Sequence, residues 1–325
     1  AITNDNSMYK HQARYLVLRR VPELWASVLK EDNVHRLALI DQVTAVAVPE
    51  STNPEDVSTT VKAFMAADLP HELIKLLEPI VLQPSAFSDN RSLKNLLMLT
   101  AIRTDKAKVT GYIERLSGYD VDEIAKIAID HGLFEEAFQI YSKAGQNTDA
   151  MDVLVEHIVS IDRAQHFANK LNLPEIWSRL GKAQLDGLRV KDAMDSYVRA
   201  EDPSNFEEVI EIAERAGREE ELIRYLQMAR KLTREPKIDT EYAYCLAKAH
   251  RLSDMEEFLS MTNVADVLHV GEKCFNDGLY EASRLLFSSV SNYARLATTL
   301  VYLNDFPGAI EAARKAGNTS VWKQM

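Results

Sequence analysis

Eight histidines and two cysteines are the residues from which metal or nucleophilic chemistry could be built, and their spacing builds none. The histidines stand at positions 11, 35, 71, 131, 157, 166, 250 and 269. His71 and Glu72 begin the helical signature His-Glu-x-x-His, in which two imidazoles one turn apart hold zinc, but Lys75 takes the second ligand position. Cys245 and Cys274 have no cysteine partner at ligand spacing, and two are too few for a disulfide framework. They read as small buried hydrophobes in a reducing compartment. Gly181-Lys182 ends like a phosphate loop, yet Ile176 stands where the first glycine of that loop belongs. GxGxxG and GxSxG do not occur. The expectation is no catalytic residue, no cofactor-binding residue, no metal ligand and no cofactor: the chain is not read as an enzyme.

The elements that carry these residues are ordered by a repeat. PELW at Pro22 to Trp25 returns as PEIW at Pro174 to Trp177, 152 positions later. ADLPHELIKLL at Ala67 to Leu77 returns as AGREEELIRYL at Ala216 to Leu226 with an offset of 149, which Asn53-Pro54 and Asp202-Pro203 share. IAKIAIDHGLFEEAFQIY at Ile124 to Tyr141 returns as VGEKCFNDGLYEASRLLF at Val270 to Phe287, offset 146 at the glycine and 145 from Ala137 to Ala282. Ala164 and Ala168 recur as Ala309 and Ala313, and Trp177 as Trp322, all at 145. Offsets that drift smoothly are what small loop deletions leave in a duplicated unit of about 150 residues. The three tryptophans of the chain occupy one slot of that unit.

Within the unit the apolar period is helical. Ile124, Ile127 and Ala128 form one stripe, Gly132 interrupts, and Phe134, Ala137, Phe138 and Tyr141 form the next, which predicts a hairpin of two helices with a left-handed residue at Gly132. Gly187 and Gly217 lie 30 residues apart, with Leu222, Ile223 and Leu226 as the following stripe. Capping boxes are expected at Thr52 with Glu55, Ser204 with Glu207 and Ser253 with Glu256. VTAVAV at Val43 to Val48 is the one strand-like stretch, short enough to end the helix that begins near Arg36. Trp177 shares an apolar face with Leu173, Ile176 and Leu180, so the slot reads as a buried anchor, with Trp322 exposed near the end of the chain. A core of 325 residues exceeds what one compact domain usually holds. The fold class that follows is all-α: a right-handed α-solenoid of short antiparallel helical hairpins, grouped in repeats of about 145–150 residues.

Composition excludes further classes. With 38 basic against 49 acidic residues the net charge is −11, and no basic stripe exists to neutralise phosphates, so no nucleic acid is expected as partner. No apolar run reaches the roughly 20 residues that span a bilayer. AITNDNSMYK is too polar for a signal peptide, which reads as a soluble cytoplasmic protein. A start without Met and an end at VWKQM read as a segment of something longer.

The segments YLVLRR, PELWASVL, RLALIDQV, VKAFMAADLPHELIKLLEPIVL, NLLMLTAI, LFEEAFQIY, SYVRAEDPSNFEEV, YLQMARK and SNYARLATTLVYL resemble the clathrin heavy-chain family in content and order along nearly the whole chain. The resemblance implies the middle of a triskelion leg, from the distal leg through the knee into the proximal leg. It implies residues 1–109 as the C-terminal part of one leg repeat, 110–261 as a complete repeat and 262–325 as the start of the next. It implies other heavy-chain legs as partners, in a homotrimer and a lattice, and a light chain toward or beyond the C-terminal end. Contact with membrane is implied only through adaptors, on the cytoplasmic face of coated pits and vesicles. A vacuolar tethering subunit or another coat-type solenoid sharing the repeat is the alternative.

Overall fold

The computed structural model describes residues 8–324. Among them it contains 22 α-helices and no strand, with helices packed in successive pairs as in an all-α solenoid. Two compact units divide between Val159 and Ser160.

In the first unit, Tyr9–Arg19 packs on Arg36–Gln42 and on the π-helical turn Val43–Ala47 that prolongs it. The strand-like VTAVAV is thus the end of a helix, as expected, widened so that Val48 N donates to Val43 O at 3.1 Å. Pro54–Ala66 leads to Pro70–Leu82, which lies against Arg91–Thr104, and that helix lies against Val121–Asp130. Val121–Asp130 and Phe134–Ala144 form the hairpin expected around Gly132.

In the second unit the same order runs from Pro174–Asp186 and Val190–Ala200 through Glu219–Leu232, Pro236–Lys248, Val267–Asn276 and Tyr280–Ser289 to Tyr293–Tyr302 and Phe306–Ala316. Helices meet their successor and, repeatedly, the helix after it, so one apolar seam runs from Leu185 to Leu286. Ala164, Ala168, Ala309 and Ala313 are fully buried, which lets helices cross closely.

Hairpins close through one backbone device. Leu133 N donates to Ala128 O and Leu279 N to Cys274 O, both at 2.8 Å, across Gly132 and Gly278 with φ of +75° and +77°. This double closure of the last turn with a left-handed residue is the Schellman motif. Asp68, Leu188, His250 and Asn304 take the same left-handed position with no glycine, and the next amide reaches back to the same carbonyl in each case.

The helix starts differ from the expected capping boxes. Asn53, not Thr52, caps Pro54–Ala66, accepting from Glu55 N at 3.0 Å. Asn205 precedes Phe206–Ala216 and makes no side-chain cap, while Asp202 ties Ser204 N at 2.9 Å in the loop before it. Ser253 lies inside Leu252–Ser260, whose first turn follows Arg251. At Ser253 the box fails because the Schellman closure at His250 runs directly into the helix that starts at Leu252, so Ser253 is already inside it. Asn53 and Asp202 are nonetheless the repeat pair at offset 149, and both accept from the amide two residues on.

Candidate functional surfaces

The histidine, glycine and cysteine positions with chemical potential are dispersed. His71 is exposed on Pro70–Leu82. Gly181 is buried in the middle of Pro174–Asp186, where a Cβ would stand 3.2 Å from the ring of Tyr197: its glycine serves close packing, not a phosphate. Lys182 beside it binds Glu208 at 2.8 Å and Asp186 at 3.0 Å, and the hydrogen bonds it donates to these carboxylates raise its pKa. Cys245 and Cys274 are buried free thiols, each pushed up to about 12 by burial, hence poor nucleophiles. Among the described residues, no three His, Cys, Asp or Glu side chains stand where they could hold a metal ion. No described helix is long and apolar enough to cross a membrane.

What the geometry does provide is a mechanical connection from hairpin to hairpin. Side chains about one hairpin apart in sequence form rungs across the seams: Lys108 to Glu78 at 2.9 Å and Arg91 to Asp120 at 2.7 Å in the first unit. In the second, Arg224 reaches Asp195 at 3.3 Å, Lys237 reaches Glu207 at 3.2 Å and Lys248 reaches Glu219 at 2.7 Å. Each exposed pair contributes little by itself, about 0–1 kcal/mol, but a ladder resists sliding of one hairpin over the next. Lys143 makes a stronger tie. Its ammonium donates to the carbonyls of Ile113, Glu114 and Leu116 at 2.6, 3.0 and 2.9 Å, closing the open end of Val109–Arg115. Glu78 also accepts from Tyr112; burial pushes its pKa up, but bonds from Tyr112 and Lys108 outweigh that and leave it lowered. These rungs escape a sequence reading because charged residues every 30 positions look like an ordinary solvated face.

One seam is strained electrostatically. Glu241 Oε2 is buried without a hydrogen-bond partner, 3.8 Å from Lys273 Nζ, and the same ammonium stands 3.7 Å from Glu214 and 3.6 Å from the ring centre of Tyr244. Burial raises the Glu241 pKa, Lys273 opposes this and Glu214 adds to it.

The Trp slots are buried as expected at Trp25 and Trp177, 1% and 2% exposed, whereas Trp322 is 48% exposed. Ile176 and Leu180 line the anchor with Trp177, but Leu173 does not: it precedes the helix and is half-exposed. The residue five before each Trp is left-handed: Arg20, Asn172 and Gly317, with φ of 54°, 50° and 63°. At the second slot Trp177 Nε1 donates to Asn172 Oδ1 at 3.0 Å and Arg199 covers the ring at 4.6 Å. At the first, Arg20 has no acceptor to offer and turns to Asp56 at 2.6 Å, leaving Trp25 Nε1 buried without a partner.

The open surface includes an aromatic edge in the second unit. Phe275, Tyr280 and Tyr302 pack at 4.9–5.4 Å between ring centres, with Tyr302 and Phe306 both 56% exposed at adjoining turns. In the first unit a cavity of about 600 Å³ opens over Trp25.

Comparison with known proteins gives a consistent picture. The family model described as "Region in Clathrin and VPS" matches residues 48–192 and 197–325. A probable clathrin heavy chain of Schizosaccharomyces pombe is 56% identical over 324 residues, a clathrin heavy chain of Drosophila melanogaster 51% over 325, and clathrin heavy chain 2 of Homo sapiens 50% over 324. Each alignment covers 100% of this chain but 19–20% of the relative, so the chain spans about a fifth of the length of these proteins.

Proposed function

Because the chain belongs to the family of repeat regions shared by clathrin and VPS proteins, we propose that it is a leg segment of a clathrin heavy chain, a scaffold and not a catalyst. Its work is to keep a leg stiff enough for side-by-side packing with other legs in a polygonal cage around a budding vesicle. The observation that carries this reading is the unbroken similarity to clathrin heavy chains over the full 100% of the chain. The ladder of inter-hairpin rungs and the continuous apolar seam supply the stiffness that such a role needs. Repeat boundaries near residues 110 and 262 belong to the same proposal, as do a trimeric hub outside this segment, a light chain toward or beyond its C-terminal end and a cytoplasmic, adaptor-mediated place on the membrane.

Lattice contacts in this reading are individually weak and are multiplied by connecting legs at a hub. The segment alone therefore stays unassembled at neutral pH, while the full-length protein forms cages visible by electron microscopy. Regular cages from the segment alone would overturn the dependence on a hub. A full-length protein that tethers membranes without forming cages would favour a tethering subunit instead.

Charge sets the conditions of that assembly. Legs carrying −11 in this segment alone repel one another, and protonation of histidines and then carboxylates reduces the repulsion. Light scattering of the full-length protein at fixed ionic strength should rise between about pH 7.5 and 6.2. A flat or falling profile would assign control to specific ion pairs between legs.

A further inference from the structure

Two copies of the Trp slot are folded alike, yet one satisfies itself and the other does not. Around Trp177 the polar groups pair internally: Asn172 takes the indole proton, Arg199 covers the ring, Arg189 binds Asp162 at 3.2 Å and Gln184 binds Ser196 at 2.6 Å. Around Trp25 the cavity is larger, about 600 Å³ against about 350 Å³ beside Trp177, and within the range of binding pockets. Its floor is apolar, made by Pro22, Ala26 and the small side chains Ala63, Ala66 and Ala67 over the buried Trp25 and Leu29. Its rim carries Lys30, Arg36 and Lys62, and among the described residues no carboxylate pairs with any of the three. Arg36 Nε, like Trp25 Nε1, is buried without a partner. Glu31 is the one acidic residue of the lining, and Arg20 is already engaged with Asp56 and Glu55.

Unpaired cations gathered at a pocket in a chain of net charge −11 run against the average field of the protein. Cations around an apolar floor fit an anion that also has something apolar to bury. We propose that this groove binds a short acidic segment of a partner protein, with one bulky apolar side chain over Trp25 and carboxylates to Lys30, Arg36 and Lys62. A polyphosphate would use the cations but gain nothing from the apolar floor. A purely apolar segment would leave the cations unanswered. The carboxylate–guanidinium and carboxylate–ammonium bonds at the rim give on-rate and selectivity, and the apolar insertion gives affinity. The proposal does not depend on cage formation, since the groove lies within one unit of the fold.

The test uses this chain and two fluorescein-labelled peptides, one with Asp and Glu flanking a central Leu-Phe pair and one with Lys in place of each acid. Fluorescence anisotropy is expected to saturate with the acidic peptide and not with the basic one. Lys62→Glu with Lys30→Glu should weaken binding by on the order of tenfold or more, as should a rise to high salt. Both lysines are exposed, so folding should survive, and circular dichroism checks it. Ala66→Trp, also at an exposed position, should block the floor without touching the charges. Absence of saturable binding, or binding that the charge reversal and Ala66→Trp both leave unchanged, overturns the proposal. So does inositol hexakisphosphate displacing the peptide at equal or lower concentration, which would make this a phosphate site. Sedimentation showing self-association that Lys62→Glu abolishes would give the groove to a second copy and equally overturn it.

Discussion

Trp177 Nε1 donates to Oδ1 of Asn172, five residues earlier and in the left-handed conformation that ends the preceding helix. One side chain thus serves two tasks, since asparagine tolerates left-handed backbone and supplies the acceptor a buried indole requires. Trp177→Ala should destabilise the second unit by about 3–5 kcal/mol as a large core deletion, and Asn172→Ala by roughly 2 kcal/mol, measured by chemical denaturation. A near-zero effect of Trp177→Ala would mean that the slot is not an anchor. Arg20→Asn would give Trp25 an acceptor, yet it should still lower stability. The charge-assisted bonds that hold the buried Asp56 outweigh one neutral bond.

Leu188 occupies with φ of +58° the turn position that Gly132 and Gly278 fill elsewhere, and its side chain is 74% exposed. Leu188→Gly should therefore stabilise by about 1 kcal/mol, and Gly132→Ala should destabilise by a similar amount. Opposite shifts in thermal midpoint check the pair. Equal signs would show that side-chain contacts, not backbone conformation, rule these turns.

Replacing Lys143 by Met keeps the length of the side chain but removes the donor to three carbonyls. A loss of about 1–2 kcal/mol is expected, tempered by the solvent exposure of the ammonium. Hydrogen exchange should localise the loosening to Val109–Arg115. Uniform loosening of the whole unit would argue against a local closure of that helix end.

The raised pKa of Glu241 fixes the sign of a pH effect. A carboxyl that holds its proton more tightly in the folded chain than in the unfolded one contributes stability below its unfolded pKa and loses it as pH rises through the folded value. Glu241→Gln should hence be more stable than the parent at pH 7.5, with the difference shrinking toward the ordinary carboxylate range. Denaturation of both proteins across pH measures that difference. A variant less stable at pH 7.5 would mean that the contact with Lys273 dominates.

Gly271→Ala would place a Cβ 2.7 Å from the ring of Phe287, closer than packing allows, so a cost of about 1–3 kcal/mol is expected from overpacking. Gly181→Ala, at 3.2 Å from Tyr197, should cost less. Thermal melts of the two variants side by side decide the order.

Helical period, hairpin length and the repeat were written in the sequence because each rests on residue type at fixed spacing. The stripes at Ile124–Ala128 and Phe134–Tyr141 and the glycine between them imposed the hairpin, and the recurrence of Trp25 at Trp177 marked a buried slot. Helix starts were not so written, because left-handed Asp68, Leu188 and His250 close their hairpins without the glycine that marks such a turn, and at Leu188 the surrounding packing overrides residue preference. The groove over Trp25 and the self-satisfied slot over Trp177 were beyond sequence reasoning for another reason. Both contain the same word, and they differ in which partner each polar atom finds, through Arg20 or Asn172 and through side chains some 20–40 residues away that only the stacked hairpins bring within reach.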